Sequence, residues 1–484
     1  MEVTYAGQAF RLGRYPIHFH LNGRMPGSYV LGCAIHGTFN RAINIHGTHE
    51  IFVQHNVIFN VMGGAVFLED GIETNNVIQY NLAIKVIAST SLLNDDITPA
   101  SFWITHPDNI VEHNAAAGGT HFGFWYRLNA HPEGPSHTSS VCLRKVPLAS
   151  FKNNTAHSMG WFGLWIFPEY YPTKTGACHS TDYAPAVFES LTVWNSDKAA
   201  EWVLCGAVQF TDMLAYNNRL AGLEAKFIAN GRSARFADNA PMFNNSVMIA
   251  HVPELETTSH SCMKHGMILP VGEGMLVKGA KFINFDRAGC SAIGIAVAAG
   301  CVEFCGAFMY WFTDVTYVNT PNRADFRHQF EAVFHDLDGS LSGTVGATVT
   351  PTQGTLPADK CAHIAAFSKN HAASVCQRPV WFHRFSFNHV KPISTVSKEV
   401  IITNKYGSAR SMYADKRVTH KKGYAITLLS GESTQIHFVD NGPFLNFSYD
   451  GMISSLRVST LISFVGSCQQ ERLLEMCRSS EVFS

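Results

Sequence analysis

Formal charge is scarce in this chain. Only 15% of its 484 residues are Asp, Glu, Lys or Arg, and the net charge is −1. No broad field is therefore available to hold nucleic acid or an anionic membrane surface, and a polyanionic partner would need a local basic patch. Helix-forming surface filler is thin as well, with Gly, Asn, Phe and His standing where long helices would carry Glu, Lys and Ala. No run approaches the ~18 apolar residues of a membrane-spanning helix, and LISFVG near the C-terminus falls far short. There is no Cys-x-x-Cys pair and no compact four-ligand cluster, which weakens a structural zinc reading; Cys301 and Cys305 are the nearest thing to a metal pair. The opening MEVTYAGQAFRLGRY lacks the basic and apolar regions of a secretory leader.

What is present is β-sequence. Hydrophobic residues make up 46% of the chain, ample for a core. Alternation as in Ala42-Ile43-Asn44-Ile45-His46 is frequent, and few segments sustain a helical apolar period. Short strands also recur, each followed by Asn. Ile51–Asn56 is echoed by Val77–Asn81 and Ile110–Asn114, with Asn56 and Asn81 25 residues apart. Later echoes fall at Asn154, Asn195 and Asn217, at steps of 40, 41 and 22 residues, so that some repeats carry insertions. Gly-rich segments follow the asparagines, at Gly63–Phe67, Gly118–Trp125, Gly160–Trp165 and Ala221–Glu224. Such a period is the signature of a solenoid, and Asn suits its corners because it tolerates a left-handed backbone and its amide can stack on copies above and below. Pro- and Ser-rich segments 92–96, 130–147 and 170–185 read as inserted loops. The period fades after His335–Gly343, which places a boundary near residue 345 and a second, smaller β domain over 346–484. The fold class expected is all-β, a parallel β-helix over 16–345.

Several clusters could carry chemistry. His18 and His20 project to one face of a strand and could share a metal or bind an anionic sugar, though no third ligand is evident in sequence. Glu69 and Asp70 are adjacent and would point to opposite faces, while Asp95 and Asp96 sit in a loop that could bring one of them close. Glycoside hydrolysis needs two carboxyls roughly 5–9.5 Å apart, a spacing that coils stacked at ~4.8 Å can supply. Acidic residues at coil corners also bind calcium or simply face water. Trp103, Trp125, Tyr126, Trp161 and Trp165 occupy corresponding parts of their repeats, as a sugar-stacking platform or, more simply, as interior packing. Arg127 and His131 extend that set; Arg14, Arg24, Arg144 and Lys145 could offset an acidic polysaccharide or be ordinary surface charge. The twelve cysteines, with sequons at Asn153, Asn244 and Asn446, fit an oxidising extracellular setting.

YPIHFHLNG (15–23), RAINIHGTH (41–49), FLEDGIE (67–73), SFWITHPDN (101–109), NAAAGG (114–119) and HDLDGSLSG (335–343) resemble the region that follows a G8 domain in the family of fibrocystin-L and the cell-surface hyaluronidases. STSLLNDDITPASFWITHP (89–107), GGTHFGFWYRLNAHPEGPS (118–136) and GWFGLWIFPEYYPTKTGAC (160–178) are more similar to the fibrocystin-L branch. The resemblance implies a right-handed parallel β-helix of pectin-lyase-like type, with residues 1–15 as the tail of a G8 domain. It further implies N-glycosylation and an extracellular setting within a larger, membrane-anchored protein whose anchor lies outside this chain. Disulfides are expected between Cys142 and Cys178, Cys301 and Cys305, and Cys361 and Cys376. The function expected is an extracellular interaction or coat module whose partner is a hyaluronan-like glycan or a protein, with no certain cofactor and calcium the ion to consider. The rival is a hyaluronan-depolymerising enzyme using Asp70 with Asp95 or Asp96 as carboxyls, and His18, His20 or His121 as acid, base or anion contact. A third reading is a structural spacer without ligand.

Overall fold

The computed structural model describes residues 1–89, 94–228, 240–255, 261–271, 274–296, 306–364, 366–389, 397–414, 424–438 and 445–450. Strands three to nine residues long are stacked in parallel and in register, one coil on the next. Among the described residues they form three long sheets, of eleven, ten and fourteen strands. Parallel pairing runs from Glu2–Thr4, which lies against Ala34–His36, to Ala332–Asp336, which lies against Phe308–Thr313. A single helical turn, Asn94–Ile97, interrupts it. Beyond Asp336 the pairing turns antiparallel, through Thr348–Pro351, Ala373–Cys376 and Cys361–Ile364. Two three-stranded antiparallel sheets follow, centred on Phe382–His389 and Ser397–Asn404. The chain is thus an all-β parallel β-helix with antiparallel strands after it.

The core is built from complementary columns. On the fourteen-stranded sheet the inward residues run Val111, Phe151, Phe188, Phe210 and Phe243 up the stack; on the eleven-stranded sheet Ala83, Ala116, Ala156 and Ala215 keep the facing column thin. The small column, broken only by Val193 between Ala156 and Ala215, leaves room in the interior for the large rings. The repeated glycines have the same origin. Gly123 and Gly163 are paired in register, and a Cβ on Gly123 would lie 2.8 Å from that of Ala156.

Asn56, Asn81, Asn114 and Asn154 are buried and form an amide ladder, each side-chain N–H donating to the carbonyl oxygen of the next at 2.9, 3.0 and 3.3 Å. The left-handed residue at that corner is the one before each asparagine: His55, Tyr80, His113 and Asn153, all near φ +55°. Three of these rings stack in turn, His55 on Tyr80 and Tyr80 on His113. Asn195 and Asn217 belong elsewhere. They follow strands of the eleven-stranded sheet, at the next corner of the coil, and are themselves left-handed.

Disulfides join Cys142 to Cys178 and Cys361 to Cys376 as expected, and also Cys262 to Cys290. Cys301 and Cys305 lie outside the described residues. Cys33 and Cys205 are buried thiols. No helix among the described residues is long and apolar enough to cross a membrane.

Candidate functional site

One face concentrates the chemistry: the outer side of the ten-stranded sheet. In-register stacking sets Asn44, Phe67, Trp103, Trp125, Trp165, Glu201, Glu224 and Ile268 in one column. Its character changes from polar to aromatic to charged along the stack.

At the first coils, strand Ile17–Arg24 pairs with Ile43–His49, which puts His20 opposite His46 and His18 opposite Asn44. The Nδ1 atoms of His20 and His46 are 3.1 Å apart. His46 donates from Nε2 to the Asp70 carboxylate at 2.9 Å, and His18 donates from Nδ1 to the Gly13 carbonyl at 3.1 Å. Asp70 also accepts the Ser136 amide at 3.2 Å. Its burial works to raise the carboxyl, but the bonds from His46 and Ser136 outweigh that and hold it below the ordinary range. Glu73, fully buried, accepts the amides of Gly47, Asp70 and Gly71 and so sets the corner that carries Asp70; burial raises its carboxyl.

Beside this lies Arg41, 1% exposed. It donates to Asp96 at 2.7 Å, lies 3.7 Å from Glu69, and sits over the Phe67 ring at 3.5 Å. Glu69 accepts from Asn44 at 2.7 Å, with its other contacts to Arg41 and His46. Asp95 lies 3.8 Å from Arg127, which also pairs with Glu133 at 3.0 Å; burial raises the Asp95 carboxyl against the pull of Arg127 and Arg41. Helix Asn94–Ile97 and the insertion around Ser136 therefore lie across this end of the face.

The sequence expectations sort as follows. His18, His20, Glu69 and Asp70 come together, joined by His46, Arg41 and Asn44, which sequence reasoning passed over even though RAINIHGTH contains all three. Asp70 and Asp96 are each committed to a separate partner, His46 and Arg41, and share no hydrogen bond. His121 lies away from both, on Thr120 and the Trp161 ring. Tyr126 is corrected outright: it points into the core and is fully buried, because it stands one residue out of phase with Trp125 on the strand. Trp103, Trp125 and Trp165 stack at 4.3 and 4.7 Å on the side of the sheet away from the main core, in a second hydrophobic cluster where Trp103 and Trp125 are buried, so packing is the right reading for those two. Trp125 is 6% exposed, so only Phe162, Trp165 and Phe167, together with the exposed Trp161, offer ring surface. His131 donates to the Val141 carbonyl beside the Cys142–Cys178 disulfide, whose sulfurs are bonded and not thiolate ligands. Asn153 is exposed at its corner; Asn244 is half-buried, and the Ser246 hydroxyl of its sequon is engaged with the Asn244 carbonyl. Asn446 lies in strand Leu445–Asp450, whose side chains are outside the described residues. For calcium, no converging set of three carboxylates occurs among the described residues, since the groups that converge are the three histidines and the His131 set. HDLDGSLSG is a turn held by Asp336, which accepts the Gly339 and Ser342 amides.

Past Trp165 the face opens into a groove of about 800 Å³ that sequence reasoning did not find. Its lining includes Lys198, Lys226, Lys264, Arg327 and Lys369 against Glu224 and Asp325. Lys198 pairs with Glu201 and Glu224, Lys226 with Glu201, and Arg327 with Glu331. Lys264 and Lys369 are exposed and carry no ion pair to a described residue. The basic residues come from coils far apart in sequence, so no local run announces them.

Comparison with known proteins shows what the chain is similar to. A CEMIP beta-helix family model matches residues 1–164. Fibrocystin-L of Homo sapiens is 47% identical over 452 residues, and that of Mus musculus 44% over 477, covering 93% and 98% of this chain. The chain spans about one tenth (11%) of the length of either. Cell surface hyaluronidase CEMIP2 of Homo sapiens is 31% identical over 216 residues, 38% of this chain and 16% of that protein. This chain is a β-helix segment with fibrocystin-L as its close homologue and the cell-surface hyaluronidases as more distant relatives.

Proposed function

We propose that the chain is an extracellular recognition module that binds an acidic polysaccharide along the outer face of its ten-stranded sheet. The observation that carries this reading is a junction. The half-exposed rings of Phe162, Trp165 and Phe167 abut the basic groove directly, with Trp165 donating to Glu201 at 3.1 Å and Lys198 lying 4.6 Å from the Phe162 ring. Sugar rings stack on aromatic faces, and the carboxylates or sulfates of an acidic glycan would be met by the exposed Lys264 and Lys369. Coil spacing of ~4.8 Å gives such a face a regular repeat along which an extended chain can lie. The disulfides and the exposed sequon at Asn153 support an extracellular setting.

The test is binding of the chain to size-defined hyaluronan and heparin oligosaccharides. The double variant Lys264→Glu/Lys369→Glu is expected to weaken binding at least tenfold, with a reduced salt dependence and unchanged unfolding. Unchanged affinity in that variant, or no binding to either glycan, sinks the reading. The hyaluronidase relatives keep a second reading in play, in which the Asp70–His46 pair belongs to a depolymerising site. Shortening of the polysaccharide that is lost in Asp70→Asn would establish it in place of simple recognition.

A further inference from the structure

We propose that His18, His20 and His46 form a site for a zinc-class transition-metal ion, held on the first coils by imidazole nitrogens with Glu69 at its edge. The inference rests on the geometry of these side chains and does not depend on glycan binding.

One ring nitrogen from each histidine lies within 4.8 Å of those of the other two. The closest pair, the Nδ1 atoms of His20 and His46, are 3.1 Å apart. Tetrahedral zinc with bonds of ~2.0–2.1 Å sets its ligand nitrogens roughly 3.3–3.4 Å from one another, so this pair already has near-ligand separation. The hydrogen bonds assign the free lone pairs. His46 gives its Nε2 proton to Asp70, which leaves Nδ1 as its acceptor nitrogen, facing His20. His18 gives its Nδ1 proton to the Gly13 carbonyl, which leaves Nε2 as the acceptor, and that atom is buried without a hydrogen-bond partner. A buried ring nitrogen with its lone pair free, beside two others, offers a cation a ready donor set. Both outer bonds also follow the arrangement of metal-binding histidines, whose second nitrogen is fixed by a carboxylate or a backbone carbonyl.

Glu69 Oε2 lies 3.5 Å from His46 Nδ1, and the Glu69 side chain is 20% exposed. It is placed either to complete the shell or to hold a water in the fourth position, and the exposed His20 keeps that position open to solvent. Three nitrogens select against calcium and magnesium, which take oxygen ligands. In sequence only His18 and His20 were evident; the third ligand comes from the next coil and is brought to them by strand register alone.

The experiment is a zinc titration of the full chain at neutral pH, in competition with a chromophoric chelator, with cobalt(II) substitution as a second readout. One zinc per chain is expected, with an intense visible d–d spectrum for the cobalt form. His20→Ala removes an exposed ring and should leave folding intact, as checked by circular dichroism; affinity should fall tenfold or more, and the cobalt spectrum should collapse. His46→Asn should do the same. The control His55→Ala, on the ladder at another corner, should change nothing. Absence of saturable zinc binding by the unaltered chain, or less than a tenfold loss in folded His20→Ala, overturns the proposal.

Discussion

Along the outer face of the ten-stranded sheet, the coils around Arg41 and those around Lys264 both present ionisable groups, but they hold them differently. In the first region the buried charges are paired, Arg41 with Asp96 and His46 with Asp70, and Glu69 accepts from Asn44. In the second, cations outnumber carboxylates in an open groove, and Lys264 and Lys369 have no carboxylate partner among the described residues. The difference follows from the insertions. Helix Asn94–Ile97 and the segment around Ser136 cross the first region and remove water from it, which makes an unpaired charge there expensive. Among the described residues no insertion crosses the second region, and exposed charges such as Lys264 and Lys369 are screened by water and need no partner. The first end therefore holds its charges in fixed pairs, and the second leaves part of its charge exposed.

The sharpest way to break this contrast is Arg41→Ala. It strips the guanidinium from Asp96, itself 2% exposed, and leaves a buried carboxylate without its cation. Breaking a buried pair from one side costs about 3–5 kcal/mol. Urea unfolding should show that loss as a lower midpoint, whereas Lys264→Ala in the groove should stay within about 0.5 kcal/mol, the usual range of a surface substitution. Equal effects would show that the two ends are not held differently.

A smaller effect is expected from the corner ladder, which runs from Asn56 to Asn154 and ends before the coils that carry the groove. Asn114 donates to the carbonyls of Asn154 and Ile78 and accepts from Asn81 and its backbone amide, all out of water. Asn114→Ala leaves those groups unanswered at about 1–3 kcal/mol for a buried unsatisfied partner. Because the ladder supports every coil it touches, hydrogen exchange should rise at Asn81 and Asn154 as well as at residue 114. A rise confined to residue 114 would mean that the coils are held independently.

The repeat, the all-β class and the asparagine corners were legible because a solenoid writes its period into the chain, and each coil must bury the same face. The ladder takes in Asn56, Asn81, Asn114 and Asn154 but not Asn195 and Asn217, and along it the left-handed conformation falls one position earlier, on His55, Tyr80 and His113. Asn is the usual choice for that conformation, and His and Tyr in its place hide it. His18, His20, Glu69 and Asp70 were visible as a local cluster. His46 and Arg41 were not singled out, since their roles come from register with the neighbouring coils. Tyr126 looked like a neighbour of Trp125 in function and is its opposite in space, a consequence of the two-residue period of a strand. The basic groove was the least legible feature. Lys198, Lys226, Lys264, Arg327 and Lys369 are spread over six coils' worth of sequence and meet only in the stack.

A last prediction, read from its pH dependence, tests whether the groove carries an acid-sensitive element. His265 lies on the groove floor, with Nδ1 against the Ser291 hydroxyl at 2.9 Å. Burial, reinforced by the nearby Lys264, Lys369 and Arg327, lowers it from 6.5 to about 3. Between those values the unfolded chain binds a proton at this residue and the folded chain does not, so stability rises with pH across the window. The contribution is fully present above about pH 6.5 and drains away as pH falls toward 3. His265→Gln removes the titrating ring, and thermal midpoints for the two chains, measured from pH 7 down to pH 4, should converge as the pH falls. The carboxylates titrating in the same range cancel in the difference, because both chains contain them. Parallel curves would mean that His265 takes up its proton in the folded groove without cost, and that the three cations around it are screened by water more completely than their positions suggest.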